Sequence, residues 1–383
     1  IVGWALYYTD NETGRYDFAR AFHIPTYIFI ALLVAMFLAL MNSVDDIIRD
    51  RVILNRERNL NVFSVSYVLS KAFSLSIFSA IQCAIFVLVG NTILQVRGMF
   101  LPYWSIMFVT AFSGIALGLL ISCVATSSRM AANCVPLVLI PQLIFGGALI
   151  KYEEMNRDSD LFFTVQKWVF ENYPETPTPK DQRLRIPAIS KLVATHYSYE
   201  ALIVAQAQLN PLTKRQNRIQ TEIDQLLELK ERSAEQKNRL NLLGETLATL
   251  SGLNGSSRRD VERKLSAIDH VIKGRSNTLP EIDPRNARTS VQKLFNNNKV
   301  GDMVAKAEAD QRDYRKTRPI NVFFSPKKYI AHLGFNVLLW NSLVLTASSS
   351  LLLALVSFIL SRQMRPQGTE SLLQNALGDD KEI

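Results

Sequence analysis

A run of side chains able to carry charge or trade protons lies at residues 45–58, DDIIRDRVILNRER. Arg49, Asp50, Arg51, Arg56, Glu57 and Arg58 alternate in sign and sit between two long apolar stretches. A charged segment of this kind cannot lie in lipid, so it must project into water or onto a partner. No catalytic constellation accompanies it. There is no Gly-rich loop ending in Gly-Lys-Ser/Thr, and the nearest approach, GLNGSS at 252–257, lacks the Lys and a preceding buried strand. Neither a nucleophile elbow nor a paired His-Glu zinc motif occurs, so no catalytic residue, metal ligand or cofactor is assigned to this chain. His23, His196, His270 and His332 are scattered without ligand spacing and read as surface or interfacial histidines. Cys83, Cys123 and Cys134 all lie in apolar runs, which does not indicate a disulfide framework.

The elements that must position the charged run come from a mixed composition. The chain has 383 residues, 48% hydrophobic and 20% charged. Its mean hydropathy of +0.08 averages an apolar part, 25–151, and a polar part, 152–330, and describes neither. A helix needs about 20 apolar residues to cross the hydrocarbon core. Residues 25–44, 71–96, 103–126, 132–150 and 333–360 meet that length. Residues 1–8, IVGWALYY, read as the tail of a further span whose start is missing, so we expect a fragment of a longer chain. The expectation is an all-α polytopic membrane protein with five complete spans plus the end of a truncated first one. Residues 1–151 hold the early spans, 152–332 a loop domain, 333–361 the last span and 362–383 a tail. Pro136 and Pro141 inside the fourth complete span predict kinks, which serve either packing or a gate.

The net charge of +9 fits anionic lipid or a positive-inside bias, and no aromatic-and-basic pattern typical of nucleic-acid binding occurs. Arg49, Arg51, Arg56 and Arg58 after the first full span, Arg129 in the next tight turn on that side, and Arg362 with Arg365 after the last span all fall on one side by alternation. That side is expected to be the cytoplasm of an inner or plasma membrane. Residues 152–332 then lie outside, and Lys327 and Lys328 there run mildly against the rule. Within this part, 173–179 (YPETPTP) reads as a loop, and 186–209 reads as a helix whose aromatics suit a membrane surface. From 212 to 250, Ile219, Ile223, Leu226, Ser233, Leu240, Leu243, Leu247 and Leu250 approach a helical seam. With a break at 252–257, a coiled-coil hairpin over about 212–273 is the simplest arrangement. Residues 274–302 read as loop and 303–316 as a shorter polar helix. The charged faces are either solvated or a docking arm for an extracytoplasmic protein partner.

Three stretches together resemble the membrane domain of ABC-2 type exporters, nearest the G subfamily of ABC transporters. They are 49–71, RDRVILNRERNLNVFSVSYVLSK; 118–150, GLLISCVATSSRMAANCVPLVLIPQLIFGGALI; and 196–202, HYSYEAL. The resemblance spans roughly 1–210 and 330–365, and leaves 212–325 as an atypical insertion in the last external loop. It implies a dimer with a second copy of the chain, and a coupling segment at 47–62 resting on a nucleotide-binding ATPase domain that would bring ATP and Mg. That ATPase domain is N-terminal on the same chain or separate. It also implies a central substrate cavity lined by spans 25–46 and 132–150. Asp45 and Glu57 match acidic positions of the family, Leu38, Met41 and Asn42 follow from Asp45 by helical spacing, and Pro136, Leu139 and Gln142 lie on the second cavity span. The expected function is the permease part of an exporter for an amphipathic or lipid-like substrate. The other reading is a membrane-anchored scaffold whose coiled coil recruits a partner. Gln82, Asn91, Asn133 and Gln142, costly in lipid unless facing protein or a cavity, favour transport. The basic run at 49–58 serving only as a topology anchor is the plainer alternative to coupling.

Overall fold

The computed structural model describes residues 7, 16–56, 63–152, 154–155, 186–229, 231, 233–283, 285, 288–315, 321–330 and 333–363. Residues 1–6 and 8, read as part of a truncated first span, Glu57 and Arg58, the stretch 173–179 read as a loop, and residues 364–383 read as a tail lie outside these residues. Among the described residues five helices are long and apolar enough to cross a bilayer: α1 (Ile24–Ser43), α3 (Ser64–Ile93), α4 (Phe100–Val124), α5 (Ser128–Phe145) and α12 (Val337–Gln363). The short helix α2 (Asp46–Arg56) follows α1 after a two-residue turn. All five spans expected from the sequence are present, with ends shifted by several residues. The last begins four residues late because Leu333–Asn336 is a strand, β4, paired antiparallel with β3 (Lys327–Ile330). The chain divides into two compact units: Ile1–Ile28, Phe86–Tyr103 and Glu200–Leu338 in one, and Phe29–Ile85, Trp104–Tyr199 and Leu339–Ile383 in the other.

In the second unit α4 is the central span. Trp104 donates to the carbonyl of Ala80 on α3 at 3.0 Å, and Ser113 meets Ser349 on α12 at 2.8 Å. Gly118 lets α1 approach closely, since a Cβ there would lie 2.9 Å from the Leu40 carbonyl oxygen and run into the Ser43 hydroxyl. Small residues at such crossings replace the hydrophobic drive that lipid cannot supply. The apolar windows of α1 and α4 are 61% and 67% buried, against 17% for α5. So α5 is peripheral within the protomer, and most of its surface is left for lipid or another chain. Its helix runs unbroken through Pro136 and Pro141, capped by Ser127, which accepts from the Met130 amide.

Helix α6 (Ala194–Leu209) departs from the sequence expectation of a membrane-surface helix. Every residue from 198 to 206 is buried, so it is a core element. Gln142 of α5 caps its start: the side-chain oxygen accepts from the Thr195 amide at 3.1 Å, and the Gln142 carbonyl accepts from the Thr195 hydroxyl at 2.6 Å. His196 is likewise not a surface residue. It is 2% exposed and its Nδ1 lies 2.7 Å from the Tyr152 hydroxyl.

In the first unit the insertion is a self-contained helical bundle. Helices α7 (Pro211–Glu228), α8 (Ala234–Gly252), α9 (Arg258–Ile272) and α10 (Val291–Phe295) share one core, in which Ile219, Leu243, Leu250, Val261, Ile268 and Val291 are wholly buried. Two two-residue strands, β1 (Asn254–Gly255) and β2 (Thr289–Ser290), pair antiparallel and bring α10 against it. Helix α11 (Asn298–Arg315) follows. The expected long coiled-coil hairpin is therefore three shorter helices. The turn falls at 229–233, where Ser233 is an N-cap in a capping box with Gln236 rather than a seam residue. Arg239 ties the bundle together. It pairs with Glu222 at 2.8 Å and donates to the last carbonyls of α9, Val271 at 2.9 Å and Ile272 at 3.0 Å.

One buried ion pair fastens the hairpin before the last span. Lys328 Nζ lies 2.6 Å from Glu200 Oε1, with side chains 8% and 0% exposed. Glu200 Oε1 also accepts from the Phe324 amide at 2.9 Å. This explains the cation that ran against the positive-inside rule: its charge is neutralised within the fold. Removing one member of a buried pair leaves an uncompensated charge and costs about 3–5 kcal/mol. Lys328→Met is therefore expected to lower the melting temperature of the detergent-solubilised chain sharply, and Lys328→Met with Glu200→Leu to recover much of the loss. A single variant as stable as the parent would refute this.

Candidate functional site

The charged run at 45–58 forms α2, and its residues divide into two faces by the helical period. Residues 47, 50, 51 and 54 point inward. Ile47 and Leu54 are 1% and 5% exposed. Asp50 accepts from the Tyr67 hydroxyl at 2.9 Å and pairs with Lys71 at 2.7 Å, both from α3. Lys71 also reaches Asp46 at 3.4 Å.

The remaining inward contacts are made with the end of α4, and they satisfy both helix termini at once. A helix start leaves amide hydrogens without intrahelical partners, and a helix end leaves carbonyls. Ser122 Oγ accepts from the amides of Ile47 at 3.0 Å and Ile48 at 3.2 Å. In return Arg51 donates to the carbonyls of Ser122 at 3.3 Å and Cys123 at 3.2 Å, placing a cation at the C-terminus of α4, where the helix dipole favours one. Gln363 of α12 also reaches the Cys123 carbonyl, at 3.4 Å. Helix α2 is thus held between the first turns of α3 and the last turn of α4.

The opposite face, 49, 52, 53 and 56, is open. Val52 is 79% and Ile53 47% exposed, Arg56 is exposed, and Arg49 leans back onto Asp45 at 2.6 Å with three quarters of its side chain in solvent. Two cations flank two β-branched apolar side chains. Sequence reasoning treated Arg49, Asp50, Arg51, Arg56, Glu57 and Arg58 as one group. The structure assigns Asp50 and Arg51 to internal fastening and Arg49 and Arg56 to the outer face, with Glu57 and Arg58 outside the described residues. Val52 and Ile53 were missed, although their i, i+3, i+4, i+7 spacing with Arg49 and Arg56 was readable. Ser122 carried no sequence signal, being one serine in an apolar span.

The cavity residues separate in the same way. Leu38 and Met41 on α1 are 37% and 43% exposed, and Asn42 donates to Gln82 of α3 at 3.3 Å. Pro136 is exposed on α5, and Leu139 packs partly against a cluster with Leu40, Val44, Ala125, Ala131 and Val135. Gln142 is 7% exposed with its amide oxygen engaged by α6. Asn91 accepts from the Tyr27 hydroxyl at 3.3 Å. Of the four polar residues expected to favour transport, Gln82, Asn91 and Gln142 thus have hydrogen-bond partners within the protomer, and Asn133 is exposed. The internal bonds remove part of the force of that argument.

An N-cap serine is worth about 1 kcal/mol, or roughly fivefold in a local opening equilibrium. Ser122→Ala is expected to speed hydrogen exchange at the Ile47 and Ile48 amides by about that factor, with Ser122→Thr near the parent. Equal exchange in the parent and Ser122→Ala would show that the cap does not hold α2.

Residues 1–169 match the family model described as ABC-2 type transporter. No curated protein and no solved structure matches the chain. The match includes the first two of the three resembling stretches and ends before the third. With five apolar helices among its described residues the chain is a multi-pass membrane protein, and residues 1–169, less than half of it, are similar to the membrane domain of ABC-2 type transporters.

Proposed function

We infer that the chain is the membrane half of an ATP-driven exporter, which moves an amphipathic or lipid-like substrate by alternating access. It acts as a dimer, and a nucleotide-binding ATPase domain rests on the outer face of α2. The observation that carries this reading is the division of α2 into a fastened inner face and an open outer one. A helix bolted to α3 and α4 by Asp50, Arg51, Lys71 and Ser122 passes any displacement of its outer face into those spans. Movement of a docked domain then becomes rotation of the spans, which exposes a central site to each side in turn. Leu38, Met41 and Asn42 on α1 and Pro136 on α5, left open within the protomer, suit a site that two copies close around a largely apolar molecule.

The scaffold alternative gains no support from the insertion. The seam residues that would recruit a coiled-coil partner, Ile219, Leu243 and Leu250, are buried in its own core. On the exporter reading, the connection at 94–98, to which the insertion is fixed, faces away from the cytoplasm, and α2 faces the cytoplasm.

Two measurements test the reading. A membrane-impermeant thiol reagent added to intact cells should label Lys237→Cys and leave Arg129→Cys unlabelled, since both side chains are exposed. In the assembled transporter, Val52→Asp should lower ATP-driven turnover severalfold, as it replaces an apolar contact at the interface with a hydrated carboxylate and draws Arg49 and Arg56 away from the docked domain. Labelling of both cysteines from the same side, or full turnover with Val52→Asp, would overturn it.

A further inference from the structure

The insertion is not a freely hanging arm. Two sets of contacts fix it to segments that enter or leave the first three spans. The first set centres on Asn297, which is 3% exposed. Its Nδ2 donates to the carbonyls of Phe18 at 3.2 Å and Ala21 at 2.8 Å, in the turn that leads into α1. Its Oδ1 accepts from the Val300 amide at 3.0 Å, capping α11. Both donors and the acceptor of one buried amide are therefore spent, two of them on the entry to a span. Phe18 and Ala21 are themselves 3% and 2% exposed.

The second set grips the turn between α3 and α4. Arg97 pairs with Glu262 of α9, and Arg258 donates to Gln95 Oε1 at 3.5 Å. Gly98 takes a φ of +67°, and a Cβ there would sit 2.5 Å from Cγ of Pro211, the first residue of α7. The backbone of the turn and the start of the bundle are thus in direct contact, at a position where only glycine fits. The two gripped segments also touch each other, since the Tyr16 hydroxyl donates to the Leu94 carbonyl at 2.7 Å.

We propose that the insertion is a brace. It holds the entry to α1 and the α3–α4 turn as one mechanical body, so neither can move without carrying the bundle along. A ligand or partner seated on the bundle would then bias the ends of three spans through contacts already in place. The proposal concerns the insertion alone and does not depend on what the transporter carries. Its signature is cross-talk that persists without the direct Tyr16–Leu94 contact: on a Tyr16→Phe background, cutting one grip must still loosen the segment held by the other.

The test is hydrogen exchange on the purified full-length chain in detergent. Asn297→Asp keeps the cap acceptor for Val300 and replaces the two donors to Phe18 and Ala21 with a carboxylate oxygen that repels their carbonyls. All charge variants carry Arg258→Gln, since Arg258 also lies 3.6 Å from Glu262; on that background Arg97→Glu sets two carboxylates against each other at Glu262, and Glu262→Arg restores an opposite pair. With the brace, Asn297→Asp speeds exchange at 94–100 as well as at 17–24, Arg97→Glu speeds exchange at 17–24 as well as at 94–100, each by about tenfold, and Glu262→Arg reverses the second effect. Exchange that rises only beside the severed bond, or a charge swap that restores nothing, overturns the proposal. The Ile47 amide, far along the chain from both grips, reports global unfolding. If Asn297→Asp loosens it too, the charge-swap pair decides.

Discussion

A helix that begins where a span ends presents amide hydrogens that its own turns cannot satisfy, and the neighbouring span presents carbonyls in the same predicament. In this protein the two deficits meet. The hydroxyl of Ser122 takes the first amides of α2, and Arg51 of α2 takes the last carbonyls of α4. With Lys71 and Tyr67 holding Asp50 from α3, this reciprocal cap consumes one whole face of α2. The other face, with Val52 and Ile53 between Arg49 and Arg56, is left to meet something else. The functional reading rests on that partition, because a segment that served only to keep positive charge on one side would need no fixed rotation about its axis.

The same rule, that polar groups near lipid must find partners within the protein, orders the rest of the chain. Gln142 satisfies the start of α6, Glu200 and Lys328 neutralise one another, and Asn297 closes the carbonyls ahead of α1. Buried within the protein, such contacts have no water to replace them, so they specify which elements lie side by side as well as adding stability. They also account for a residue that sequence reasoning set aside as an exception. Lys328, which ran against the positive-inside rule, is held by a buried carboxylate.

What could be read from the residues was what hydropathy and local chemistry encode. The five spans, the charged segment after the first of them, the resemblance to ABC-2 exporters and the helical character of the insertion were all legible. What failed was whatever depended on partners distant in sequence. Residues 194–209 have middling hydropathy with several aromatics, which fits a membrane-surface helix as well as a buried one, and burial on all sides came only from packing. The leucine spacing through 212–250 suggested a zipper, yet the Ser233 and Gln236 capping box marked a turn in the middle of it. That local signal was available and was outweighed by the longer pattern. Ser122 is a different case: one hydroxyl in an apolar span has no periodicity to betray that it caps a helix 75 residues away.

A nucleotide-binding ATPase domain is proposed to rest on the outer face of α2. Site-specific photo-cross-linking in native membranes addresses this placement directly, with the photoreactive side chain at Val52 and a control at Leu54 on the buried face. Val52 is expected to form an adduct with an ATP-binding domain, and Leu54 to cross-link only within the chain itself. Val52 captured only by lipid, or by other parts of this same chain, would contradict it.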